Sequence, residues 1–266
     1  MCIKANKFLL LTSLLFISQA YAQLNGQDRG YPDWYVRVKP YLWLSNLDTD
    51  ETLQVGDGDH IVGDYYVPVG DSVLERSWAL SLEVGKGRLR GIVNLSRANI
   101  KNPGRFYLFP EKETYIAGAY DLTWFTGEFL LSSQIGPFVS SHGFEIYVGV
   151  RYIHQKEDIK IEQVTEQAIT ATQSWLDPVI GARVFAELGE RWWAMFHSDI
   201  GGFGVGIDFT WTLGGELGFR IAEPLDITMR YNFQEIQYDN EETGAGRFIW
   251  EDGVQQGWFF GFQLKL

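Results

Sequence analysis

The chain has one cysteine, Cys2, ahead of an apolar N-terminal run, so no disulfide framework holds the rest together. Beyond residue 22 no stretch approaches the ~18 consecutive apolar residues of a membrane-crossing helix, which excludes a helical membrane protein. Positive charge is scarce: 22 Lys and Arg stand against 34 Asp and Glu, a net charge of −12. That balance argues against nucleic acid as a partner. Also missing are the HExxH, GxSxG and CxxC signatures and any twelve-residue calcium loop. The chain is therefore read as non-enzymatic, with no cofactor and no metal. The acidic groups Asp48, Asp50 and Glu51, Asp57 and Asp59, and Glu241 and Glu242 are read as solvated loop charge.

The N-terminus is built like an export signal. Lys4 and Lys7 precede an apolar core from Phe8 to Ile17, and Ala20-Tyr21-Ala22 is a small-x-small cleavage site. Residues 1–22 are expected to be a cleaved signal peptide, and 23–266 a single domain. The signal takes two lysines and no acidic residue, which leaves 20 basic against 34 acidic residues, a net charge of −14.

What the full chain has in quantity is aromatic residues and glycine: 10 Trp, 13 Tyr, 18 Phe and 29 Gly. Glycine weakens helices and aromatics favour strands. The apolar residues alternate. At the C-terminus Trp258, Phe260, Phe262, Leu264 and Leu266 share one face, and Phe259, Gly261, Gln263 and Lys265 the other. The same two-faced pattern recurs in 34–45, 208–220 and 225–234. It runs for 10–13 residues, longer than the usual ~5–6-residue soluble strand and close to the ~9–11 a tilted strand needs to cross a bilayer.

Ten strands are predicted, near 33–47, 77–86, 88–100, 121–138, 144–160, 172–188, 190–200, 206–221, 224–238 and 254–266. Tight turns (86–87, 139–143, 189, 222–223) alternate with long acidic loops (48–76, 101–120, 161–171, 239–253), with 201–205 as a short member of the second set. Backbone groups inside lipid must be paired within the protein, so strands cross a bilayer only as a closed barrel. The expected fold is all-β: a transmembrane antiparallel β-barrel of about ten strands, with eight or twelve as alternatives, short periplasmic turns and long extracellular loops. A lipid-free sandwich would have shorter strands and loops alike at both ends. Trp34, Trp78, Trp192, Trp193, Trp250 and Trp258 fall near strand ends, as an aromatic girdle requires.

Several stretches resemble a group of largely uncharacterised Gram-negative outer-membrane β-barrel proteins: Pro40-Tyr41-Leu42-Trp43-Leu44, the WLDPVIGAR stretch of Trp175 to Arg183, the DIGGFGVG-containing stretch of Asp199 to Trp211, and Met229-Arg230-Tyr231. The resemblance implies a small outer-membrane barrel and supplies no activity or ligand. The last strand is similar to the C-terminal signal read by the barrel-insertion machinery, through Trp258, Phe260, Phe262, Leu264 and Leu266, although Leu266 stands where an aromatic is usual. The partners implied are that machinery, outer-membrane lipids and lipopolysaccharide; an extracellular partner is left open.

The predicted inward faces carry charges of both signs: Arg37, Lys39, Glu83, Arg90, Glu128, Glu145, Arg151, Asp177, Arg183, Asp199, Asp208, Glu216, Arg220, Asp226, Arg230 and Lys265, with His197 beside Asp199. A ten-stranded barrel is only slightly wider than one that side chains alone fill. Unpaired buried charge costs several kcal/mol, so these groups are expected to form an ion-pair network that plugs the lumen, or else to line a narrow aqueous pore. A surface barrel hydrolase or protease is the alternative, as is an adhesin or receptor acting through the acidic loops. His197-Ser198-Asp199 is the tempting catalytic cluster, but Ser198 must face away from its neighbours. His154 has outward parity, His142 lies in a turn, and His60 lies in the first long loop. Gly201 to Gly206 lacks the lysine and the strand–helix context of a phosphate loop and is read as a tight hairpin.

Overall fold

Alternation becomes strand throughout the computed structural model, which describes residues 34–54, 60–67, 73–108, 114–139, 142–161, 169–239 and 248–266. The expected signal peptide lies outside the described residues. Among the described residues eleven strands follow in chain order: β1 (Tyr35–Gln54), β2 (His60–Val67), β3 (Val73–Lys86), β4 (Leu89–Leu108), β5 (Thr114–Val139), β6 (His142–Ile161), β7 (Ile169–Glu187), β8 (Trp192–Gly202), β9 (Phe209–Ala222), β10 (Leu225–Asp239) and β11 (Phe248–Lys265).

Every pairing is antiparallel, and β11 returns to β1, with Arg37 opposite Lys265 and Leu44 opposite Trp258. At the seam Val36 and Leu266 exchange backbone hydrogen bonds of 3.0 and 2.9 Å. The wall therefore has no free edge, which is the condition for strands to cross lipid. Ten strands make the ring. The eleventh, β2, was not expected. It lies only at the end away from the short turns, paired with β1 from Leu47 to Gln54 and touching β4 at Phe106–Leu108. Much of the expected loops 48–76 and 101–120 is thus strand, and β5 alone runs for 26 residues. The physical reason is simple. Outside lipid the outer face no longer has to be apolar, so alternation fades while the hydrogen-bond ladder continues.

Short connections of two to four residues join β3–β4, β5–β6, β7–β8 and β9–β10 at one end, here the turn end. The other end is the loop end. Outward residues on the intervening wall are large and bare: Leu42 is 56% exposed, Val148 52%, Ile180 49% and Phe262 52%. A continuous apolar surface of this kind is one that lipid covers. All five residues of the expected insertion signal, Trp258, Phe260, Phe262, Leu264 and Leu266, lie on it. Aromatic pairs mark its borders: Trp192–Phe219 at 4.8 Å toward the turns, Trp211–Phe233 and Tyr231–Trp258 at 4.9 Å toward the loops. Trp34, Trp78, Trp192 and Trp258 face out, whereas Trp193 is a correction: one residue on from Trp192, it points inward and is buried. The side chain of Trp250 lies outside the described residues.

Candidate functional site: the charged lumen

The inner face of the wall is polar because the strand period places every second residue there. Register then decides which charges meet. Arg37 lies opposite Glu83 across β1–β3, Glu128 opposite Arg151 across β5–β6, and Glu145 opposite Arg183 across β6–β7. Each of these pairs is bonded: Arg37 to Glu83 at 3.0 Å, Arg151 Nε to Glu128 at 2.6 Å, and Arg183 to Glu145 at 2.5 Å.

A second set of bonds joins strands that are not neighbours. Lys39 on β1 reaches Glu216 on β9 at 3.0 Å. Arg183 on β7 reaches Glu83 on β3 at 3.0 Å. Arg151 on β6 reaches Asp199 on β8 at 2.8 Å, and Arg90 on β4 reaches Glu145 on β6. Tyrosine hydroxyls complete the carboxylates: Tyr35 donates to Glu83 at 2.7 Å, Tyr41 to Glu216 at 2.8 Å and Tyr147 to Asp199 at 3.1 Å. These tyrosines were absent from the sequence reading of the network. Their inward parity was visible; that their hydroxyls meet carboxylates was not.

Nearer the turn end, Asp226 accepts from Trp193 Nε1 at 2.8 Å, from Gln263 Nε2 at 2.7 Å and from Lys265 Nζ at 2.8 Å. Arg220 approaches only loosely, 3.8 Å from Glu187 and 4.0 Å from Asp226. Arg230 donates to Asn232 at 3.0 Å and lies 3.4 Å from His197 Nε2. His197 itself fits because Gly214 faces it; a Cβ there would meet the ring at 2.1 Å.

Two expected members of the network have other roles. Asp208 is exposed and outside the lumen, because the chain leaves β8 at Gly202 and the turn 203–208 resets the parity. Its carboxylate accepts from the Asp239 backbone N–H at 3.0 Å. Asp177 is fully buried but accepts from the Ile207 N–H at 2.8 Å, so it fastens that same turn. The turn needs left-handed backbone at Gly202, Phe203 and Gly204. A Cβ at Gly206 would lie 2.6 Å from the Asp177 carboxylate. Hence the two stretches singled out in sequence, Trp175 to Arg183 and Asp199 to Trp211, are neighbours, with one aspartate of the first holding the glycines of the second.

Above the charges, toward the loop end, the lumen changes character. Trp43, Trp124, Ile153, Trp175, Ile207 and Ile236 are all at most 3% exposed. Trp43 stacks on Phe259 at 5.4 Å with the rings 6° apart. The space left inside is divided. A cavity of 330 Å³ at the turn end is followed by one of 60 Å³ around Arg151, Lys39 and His197, and one of 80 Å³ beside Trp43 and Phe259.

The chemistry open to this interior is the holding of charge. Asp199 is engaged by Arg151 and Tyr147, and Ser198 faces outward, so the His197-Ser198-Asp199 cluster is not assembled as a nucleophilic site. His154 faces outward, its Nδ1 2.8 Å from the Ser174 hydroxyl, and His142 lines the turn-end cavity. The His60 side chain lies outside the described residues.

No protein-family profile matches the chain, and no curated protein sequence does. Solved structures do. Outer membrane protease OmpT from Escherichia coli aligns with a TM-score of 0.62 over 90% of this chain and 99% of that one, at 9% identity. OprG from Pseudomonas aeruginosa aligns over 91% and 99%, at 11% identity and a TM-score of 0.37. Neisserial surface protein A aligns over 90% and 100%, at 11% identity and a TM-score of 0.34. At 9% identity the likeness to the OmpT structure is one of fold: the chain is an outer-membrane-type β-barrel.

Proposed function

We propose that the protein is an integral outer-membrane barrel with a closed lumen, a structural wall that carries its long loop-end strands and loops to the cell surface. The observation that carries this reading is the set of ion pairs between non-neighbouring strands. Lys39–Glu216 and Arg183–Glu83 cross the interior between strands three and four places apart round the ring, and Arg151–Asp199 reaches over one intervening strand. A selective pore would more simply line its passage with one sign of charge. Here both signs are spent on each other, and an aromatic layer closes the loop end. Export by the N-terminal signal, delivery to the insertion machinery through the exposed residues of β11, and contact with lipid and lipopolysaccharide belong to the same reading. So does membership of the barrel group that the Trp175 to Arg183 and Asp199 to Trp211 stretches resemble.

The test is single-channel recording in planar bilayers, with protein purified from outer membranes and checked for heat-modifiable gel mobility. The expected result is no discrete conductance from folded wild-type protein. Steps whose ion preference changes on replacing Arg151 or Glu216 would overturn the closed lumen in favour of a pore.

A further inference from the structure

We propose that the turn-end mouth of the barrel is a binding site for a small multiply charged oxyanion of the phosphate class. The proposal goes beyond the closed-lumen reading, which conductance decides; binding is read separately, so either can fail alone.

The 330 Å³ cavity at this end is within the usual range for a small-molecule site, and the deeper cavities are far smaller. Its lining holds six cationic side chains, Arg37, Lys39, Arg90, Arg183, Arg220 and Lys265, against four anionic ones. Lys39 and Lys265 are held from behind this lining by Glu216 and Asp226, so the site offers the open donors of its rim and not an excess of one charge.

The deep cations are already occupied. Arg183 bridges Glu83 and Glu145, Arg90 bonds Glu145, and Lys39 bonds Glu216. The rim differs. Arg220 comes no closer than 3.8 Å to any carboxylate it faces, and its Nε is buried without a hydrogen-bond partner. Its side chain is 30% exposed, and that of Lys265 32%. The neighbouring carboxylate, Asp226, takes its bonds from Trp193, Gln263 and Lys265 all on Oδ2, and its Oδ1 stands 4.0 Å from Arg220 without a hydrogen bond. Arg37, 32% exposed, sits beside Lys265 in the β1–β11 register. An under-used guanidinium flanked by two partly open cations matches an oxyanion with several acceptor oxygens.

The experiment titrates inorganic phosphate at constant ionic strength into protein purified from outer membranes, followed by calorimetry and by tryptophan emission, since Trp193 lines the cavity. The expected result is saturable binding at one site, weakened about tenfold in Arg220→Gln and in Lys265→Gln, the loss that one charge-assisted hydrogen bond represents. Arg220→Lys should retain more affinity than Arg220→Gln, and Lys156→Gln, on the outer face, should bind as wild type. Fold is checked in each variant by heat-modifiable mobility. Absence of saturable binding, or equal affinity in the folded Arg220→Gln and Lys265→Gln proteins, would overturn the proposal.

Discussion

The two halves of the lumen are filled by opposite means. Toward the turns the interior is filled by arginine, lysine and carboxylates joined across the barrel. Toward the loops indole and aliphatic side chains dominate, with Trp43 on Phe259 and Trp175 against Tyr238 at 4.9 Å, and scattered polar groups such as Gln155, Glu157 and Asp177 are buried among them. Both halves hang on one continuous hydrogen-bond ladder, so the difference is entirely one of side chains. Charged filling has to be complete, because each group is tolerated only while its partners stand. Apolar filling asks only for volume, and a missing part leaves a space instead of a stranded charge. The first kind fixes which strands face each other; the second packs the upper lumen.

The largest effect should follow from breaking the charged half at its centre. Arg151 is 2% exposed and bonds Glu128 and Asp199. Arg151→Leu leaves two carboxylates without their cation and is expected to cost about 3–5 kcal/mol in urea unfolding from lipid vesicles. Adding Glu128→Gln and Asp199→Asn to the same chain should recover much of that loss. Failure of the triple variant to recover would mean that Arg151 acts by volume, and the contrast between the halves would collapse.

On the apolar side Trp43→Ala should cost about 3 kcal/mol, the lower end for a buried aromatic, because the adjoining 80 Å³ cavity lets the site relax and admit water. No second substitution should rescue it. Unfolding in the same vesicles gives the value. Rescue by shortening Phe259 as well would show coupling of the kind reserved here for charges.

The barrel itself was legible in the sequence, because lipid writes its requirement directly into alternation on β1, β9, β10 and β11. Inward parity also placed Arg37, Lys39, Glu83, Arg90, Arg151 and Arg183 inside. What sequence could not supply was register and the pairings across the lumen. Lys39 and Glu216 are 177 residues apart, and only ring closure brings them together. β2 was missed because it is built outside the lipid belt, where nothing forces a strand to alternate. Asp208 and Trp193 were misplaced by a single residue of parity at a turn and at a strand end. In a structure of period two, that is enough to exchange inside for outside.

Asp177 gives the mildest of these contrasts, since its work is done on backbone and not on another charge. It is buried in the upper lumen, yet its carboxylate is spent on the Ile207 N–H. Asp177→Ala removes that acceptor and strands a buried donor, a loss of about 1–2 kcal/mol. The effect should be local. The turn 203–208 needs left-handed backbone at three consecutive positions, Gly202 to Gly204, and the aspartate is what draws Ile207 inward against it. Limited proteolysis is the sensitive readout: cleavage should appear near Phe203–Val205 while urea unfolding of the barrel shifts only slightly. Asp177→Asn, which keeps an acceptor oxygen, should stay resistant. If it is cut as readily as Asp177→Ala, the charge itself matters, and Asp177 then belongs with Arg151 in the ionic half of the barrel.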